Sequence, residues 1–102
     1  MFGDMGKMMK QVAEMKAKMG EVDKELKNAI LKGVSRDNAV EVELSGKMIL
    51  KKVSIDDSIV GNKKQLERSV FEAIEQALKQ ATDTAASKLS AVTGGIKIPG
   101  LN

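Results

Sequence analysis

The chain of 102 residues contains no histidine, no cysteine, no tryptophan and no tyrosine, and its aromatic side chains are Phe2 and Phe71 alone. Each absence excludes something. Without imidazole or thiolate there is no partner base for a serine nucleophile, no cysteine nucleophile, and no soft or imidazole ligand set for zinc or iron. Enzyme chemistry, a metal and a cofactor are therefore not expected. Without aromatic platforms there are no rings on which single-stranded bases could stack. Absent cysteine agrees with a reducing cytoplasm. No apolar run approaches the roughly 20 residues of a membrane span, and residues 1–20 lack a signal-type apolar core. A soluble intracellular chain is expected, with neither a membrane nor a small-molecule substrate as partner. Of the remaining carboxylate pairs, Asp56 and Asp57 are adjacent, and on a strand adjacent side chains point to opposite faces. They read as a turn after a strand rather than as an acid and base pair.

What is present is helical period. Met5, Met8, Val12, Met15, Met19, Val22 and Leu26 alternate three- and four-residue steps, the a/d signature of a coiled-coil seam that needs a partner helix. A second run of the same period passes through Leu66, Val70, Ile74, Ala77, Ala81 and Ala85 toward Leu89 and Val92. The residues expected at dimer or helix-packing contacts are Met8, Val12, Met15, Met19, Val22 and Leu26 with Ile74, Ala81 and Leu89. Between the runs lie alternating segments, cleanest in Val40-Glu41-Val42-Glu43-Leu44, where the apolar residues face one way and the glutamates the other. The pattern predicts one α+β domain over 1–102: a helix about 4–28, strands about 29–36, 39–45 and 48–56, a helix about 62–93 and a tail over 94–102. Asp4 is a candidate cap for the first helix, Gly20 marks a bend or close crossing within it, and Asn62 with Gln65 forms a capping-box pattern for the second. Val53 and Ile55 differ in parity from Leu50, which a bulge around Lys51-Lys52 reconciles. A helix of about thirty residues spans roughly 45 Å. Three strands of roughly 20 Å cannot cover it, so part of it projects. A small domain this poor in large apolar side chains is expected to dimerise.

Net charge is +3, which permits an acidic partner without demanding one. Its distribution is more informative. Lys7, Lys10, Lys16 and Lys18 stand against Glu14 alone in the amino-terminal half of the first helix, making that half a basic rod. The alternative is a solvated face stitched by pairs such as Glu14 with Lys18 and Asp23 with Lys27. Lys63, Lys64 and Arg68 sit where the second helix dipole is positive and prefers carboxylates. Asp56 and Asp57 are candidates to neutralise them; alternatively, these cations and Lys51-Lys52 form a phosphate site with the helix-end amides. Arg36 and Arg68 are the only arginines, so bidentate base readout should be limited and any sequence preference weak or shape-based.

Three pieces then carry a resemblance. They are Met1-Phe2-Gly3 followed by a Met- and Lys-rich helix with Met8-Met9-Lys10-Gln11, the central Lys51-Lys52-Val53-Ser54-Ile55-Asp56 run continued by Asp57-Ser58-Ile59-Val60, and a long helix closing in Thr93-Gly94-Gly95 before Pro99-Gly100. Together, in order along nearly the whole chain, they resemble the YbaB/EbfC family of small bacterial nucleoid-associated proteins. The resemblance implies an α-β-β-β-α protomer with a three-stranded antiparallel sheet and an intertwined homodimer with projecting helices. It further implies a cytoplasmic, nucleoid location and duplex DNA binding that alters DNA conformation and influences expression. The chain departs from a strongly basic reading at Glu67, Glu72, Glu75 and Asp83, which acidify the second helix. A rival reading is a non-enzymatic dimeric clamp that holds a protein partner between Met- and Ala-lined arms.

Overall fold

The computed structural model describes residues 2–93, and of residues 2–4 and Thr93 the backbone alone; the tail expected over 94–102 lies outside the described residues. Helix α1 (Phe2–Asn28) leads into strands β1 (Ile30–Val34), β2 (Val40–Ser45) and β3 (Leu50–Ile55), a single 3-10 turn (Asp57–Ile59) and helix α2 (Lys63–Thr93). The strands form an antiparallel meander in the order β1-β2-β3, the α-β-β-β-α architecture expected above. Because α1 already runs from Phe2, Asp4 lies inside it rather than at its cap.

Strand alternation sets the core. Val40, Val42 and Leu44 are buried, while Glu41 and Glu43 alternate with them on the opposite face. There Lys32 reaches Glu41 at 3.4 Å and Glu43 at 3.6 Å. Against the apolar face α2 lays a stripe of small residues, Ser69, Ala73, Ala77 and Ala81, all fully buried, with Leu66 and Val70 packed at its edge. The small side chains permit a very close approach. A Cβ added at Gly33 in β1 would lie 1.9 Å from the Ala73 carbonyl oxygen and 2.8 Å from Ala77 Cβ, so only glycine fits beneath the helix. Gly46, in the β2–β3 turn, likewise presses on Leu26 of α1. Gly20 is not a close crossing: α1 is assigned continuously through it, and nothing stands within 4 Å of where its Cβ would be.

In the β2–β3 ladder Glu43 pairs with Lys52 and Leu44 with Leu50, so Lys51 is the extra residue of a bulge. That irregularity brings Leu50 onto the face of Val53 and Ile55. At the start of α2, Gln65 N donates to Asn62 Oδ1 at 3.1 Å, the N-cap half of the capping box. The return half is redirected. Asn62 N bonds Ile59 O at 3.0 Å, and Gln65 Nε2 reaches instead to Asp37 at 3.1 Å.

Beyond the sheet, α1 and α2 run alongside each other in opposite directions, joined by Lys88 Nζ to Glu25 Oε2 at 2.8 Å; Asp23 pairs with Lys47 of the β2–β3 turn. The helical pairs expected of Asp23 with Lys27 and Glu14 with Lys18 do not form among the described residues. The sheet turn and the facing helix offer closer partners to Asp23 and Glu25. The chain measures 71 × 24 × 14 Å with a radius of gyration of 19.6 Å. A compact domain of this length would have about 13 Å, and the excess is the two helices leaving the sheet.

Candidate functional site

Two surfaces qualify as functional, one charged and one apolar. The charged one is the outer half of α1. Lys7, Lys10, Lys16 and Lys18 are all exposed, and none forms an ion pair among the described residues. At 100° per residue, Lys7, Lys10 and Lys18 fall within about 80° of one another while Lys16 lies about 160° round from Lys18. Three of the four therefore share a face, with Glu14 among them. Among the described residues no ion pair holds these ammonium groups, which leaves their charge available to an external anion.

Lys51, Lys52, Lys63, Lys64 and Arg68 do not form one cradle. Lys51 and Lys52 lie at the start of β3, and roughly 13 Å of strand separates Lys51 from the turn toward α2. Lys52, opposite Glu43, is on the sheet face away from α2. Lys63 leans on Glu67 at 3.9 Å, and Asp56 accepts a hydrogen bond from Ser58 Oγ; neither Asp56 nor Asp57 pairs with Lys63 or Lys64 among the described residues. Helix α2 thus answers its own amino-terminal cation one turn later. Arg68 joins Arg36, Asp37, Gln65 and Glu72 around a shallow hollow of about 320 Å³, with Arg36 Nε 3.6 Å from Glu72 Oε2. Two arginines and two carboxylates balance there, which favours a structural clasp over an anion site.

Asp37, in a run Arg36-Asp37-Asn38 that reads from the sequence only as a turn, organises that clasp. Its carboxylate accepts from Ser35 Oγ at 2.5 Å, Ala39 N at 3.0 Å, Ser69 Oγ at 2.6 Å and Gln65 Nε2 at 3.1 Å. The hydrogen bonds from Ser35, then Ser69, Ala39 and Gln65, hold its pKa well below the ordinary 3.8. The β1–β2 hairpin is thereby tied to α2. The signal in the sequence was the run Ser35-Arg36-Asp37-Asn38, an Asx-turn composition; Asn38 takes the left-handed conformation at φ 60°.

The apolar surface is the sheet's third strand. Val53, Ile55 and Leu50 oppose Val42, Val40 and Leu44 and so face the same side, yet they remain 45 %, 41 % and 56 % exposed. Helix α2 covers β1 and β2 only. One flank of it turns Gln76 toward β1, where Oε1 accepts from Val34 N at 2.5 Å. Elsewhere on α2, Phe71, Ile74 and Leu78 are also exposed. Both sets of side chains are bare in the single chain. Of the seam positions on α1, Val22 and Leu26 are half-buried in the single chain, whereas Met8 and Val12 are 64 % and 65 % exposed. On α2, Ala81 is buried and Leu89 and Ile74 are partly bare. No helix among the described residues is long and apolar enough to cross a membrane.

The chain is 37 % identical over 99 residues to a nucleoid-associated protein of Afipia carboxidovorans, covering 92 % of this chain and 91 % of that one. Its fold matches the crystal structure of an uncharacterized protein from Helicobacter pylori with a TM-score of 0.78 over 92 % of this chain and 98 % of that chain, at 20 % identity. A family model, the YbaB/EbfC DNA-binding family, matches residues 1–96. With a family model spanning nearly its whole length and this arrangement of helices about a three-stranded sheet, the chain belongs to the YbaB/EbfC DNA-binding family.

Proposed function

We propose that this chain is a homodimeric nucleoid-associated protein, cytoplasmic and resident on the nucleoid, that binds duplex DNA through phosphate contacts and influences DNA conformation and expression. Family membership supplies the ligand class. The observation that carries the mode of binding is the exposed, unpaired lysine set Lys7, Lys10, Lys16 and Lys18 on a projecting helix. Lysine is a compact point charge suited to phosphate and poor at bidentate base recognition. The two arginines able to read guanine edges stand in the clasp with Glu72 and Asp37. Sequence preference is accordingly weak or shape-based.

Dimerisation rests on the bare apolar face of β3, Leu50, Val53 and Ile55. A second copy's α2 would complete the half-covered sheet and place two basic α1 helices on one assembly. Lys51, Lys52 and Lys64 are exposed as well, and form the second candidate surface. The rival clamp for a protein partner is favoured by one observation, the bare Met5, Met8, Met9 and Val12 on α1.

Fluorescence anisotropy with a labelled duplex at two salt concentrations separates these readings. Binding by phosphate contact weakens with a slope of about 0.9 in log K per log salt for each phosphate engaged. Changing Lys7, Lys10, Lys16 and Lys18 together to Glu is expected to abolish it. Unchanged binding in that variant would move the site to Lys51, Lys52, Lys63, Lys64 and Arg68, and no binding at either salt would leave the protein clamp.

A further inference from the structure

Glu14 stands where a phosphate-binding face should carry no carboxylate. At 100° per residue it falls inside the arc of about 80° spanned by Lys7, Lys10 and Lys18. Lys10 and Lys18 lie four residues to either side of it, roughly 6 Å away along the axis. Both spacings suit an i,i+4 ion pair. Neither pair forms, and Glu14 is exposed without an ion-pair partner among the described residues. Helix α2 approaches from one flank, where Val92 shares an open groove with Gln11, Glu14 and Lys18, and it leaves Glu14 exposed.

A carboxylate this close to lysines that grip phosphates lies within about one Debye length, about 8 Å at physiological salt, of the phosphates themselves. It therefore repels any duplex the lysines hold. That repulsion is offset only where a base edge offers a hydrogen-bond donor. The donors are adenine N6 and cytosine N4 in the major groove and guanine N2 in the minor groove. An α-helix with its side chains is about 10–12 Å across, which suits the major groove of about 12 Å and not the minor groove of about 6 Å. Beside adenine N6 stands the N7 acceptor, which repels a carboxylate, whereas cytosine N4 has no acceptor next to it on its own major-groove edge. We propose that Glu14 is the specificity-determining residue of the DNA-binding face: it accepts a hydrogen bond from a cytosine N4 amino group in the major groove and penalises duplex that offers none. The role rests on the phosphate-binding reading above and supplies the source of its weak sequence preference. Helix α1 carries no arginine to read guanine. Lys7, Lys10 and Lys18 set how tightly any duplex is held, and Glu14 sets which stretches are held longest.

The test is fluorescence anisotropy at one fixed salt with three labelled duplexes of equal length: A·T pairs only, G·C-rich, and the G·C-rich duplex with every guanine replaced by inosine. Inosine keeps cytosine N4 in the major groove and removes the guanine N2 amino group from the minor groove. The native chain is expected to favour the G·C and I·C duplexes over A·T by about fivefold. Glu14→Ala keeps a strong helix former at that position, and unchanged helical circular dichroism verifies its fold. It should tighten A·T binding by about fivefold, alter the other two by less than about twofold, and so erase the preference. No native preference, equal tightening on all three duplexes, or no change on any would overturn the role of Glu14 while leaving phosphate binding intact. A native preference lost on the I·C duplex would overturn it too, by moving recognition to the minor groove. A native chain that binds none of the three would instead overturn the phosphate-binding reading itself.

Discussion

At the scale of single residues, Gly20 and Gly33 differ only in what surrounds them. Gly20 has open space where a Cβ would go, and Gly33 has the Ala73 carbonyl oxygen at 1.9 Å. Gly20→Ala should raise stability by about 0.5–1 kcal/mol, the gain of alanine in a helix interior. Gly33→Ala should lower it by about 3 kcal/mol because α2 must lift off the sheet. Urea unfolding of both variants checks this, and equal effects would contradict the close approach. Asp37 sets an acid dependence. Its folded pKa is lowered, so its contribution is complete above the unfolded value of 3.8 and is lost as pH falls through it toward the folded value. The urea midpoint should drop between about pH 4 and pH 2 more steeply in the native chain than in Asp37→Asn. Identical slopes would mean the four hydrogen bonds add nothing to the charged form.

At the scale of elements, β3 and α1 each present apolar residues that one chain leaves bare. Val53 and Ile55 face the covered side of the sheet without cover. Placing a charge there costs little in an isolated chain and a great deal in a buried interface. Ile55→Asp is therefore expected to convert a dimer to monomers at micromolar concentration, read by sedimentation equilibrium, with the helical circular dichroism largely kept. A dimer that survives this change would have to be built on α1 instead. The lysine face of α1 is a separate surface: the Lys-to-Glu variant should lose DNA and remain dimeric.

At the scale of the whole molecule, length and shape connect the two. A radius of gyration of 19.6 Å against about 13 Å for a compact domain describes a chain whose helices outrun its core. In the proposed dimer a second copy would cover the bare part of the sheet and double the basic helices. Two such helices on one assembly raise affinity through effective concentration. If both hold phosphates as proposed, binding is expected to be steeply salt-dependent, and a forced monomer such as Ile55→Asp should bind DNA at least about tenfold more weakly at the same salt.

Much of the fold was legible from period alone. Val40-Glu41-Val42-Glu43-Leu44 reads as a strand with one covered face, and the parity clash at Leu50 located the bulge around Lys51-Lys52, because side-chain period is a local property of the backbone. The exclusion of histidine and cysteine chemistry was likewise compositional. Contacts distant in sequence were not legible. Gly33 looked like an ordinary strand glycine, Asp37 like an ordinary turn residue, and Asp23 like a partner for Lys27, until α2 and the β2–β3 turn were placed against them. The candidate cations show the same division: all could be read off as basic, and the Lys63–Glu67 pair is local at i,i+4, but only packing placed Arg68 beside Arg36, Asp37 and Glu72 and left Lys7, Lys10, Lys16 and Lys18 without an ion pair among the described residues. The sequence by itself determined the helices and strands; the tertiary structure decided which faces of those elements are spent on the core and which are left bare, because burial depends on what else the chain brings alongside.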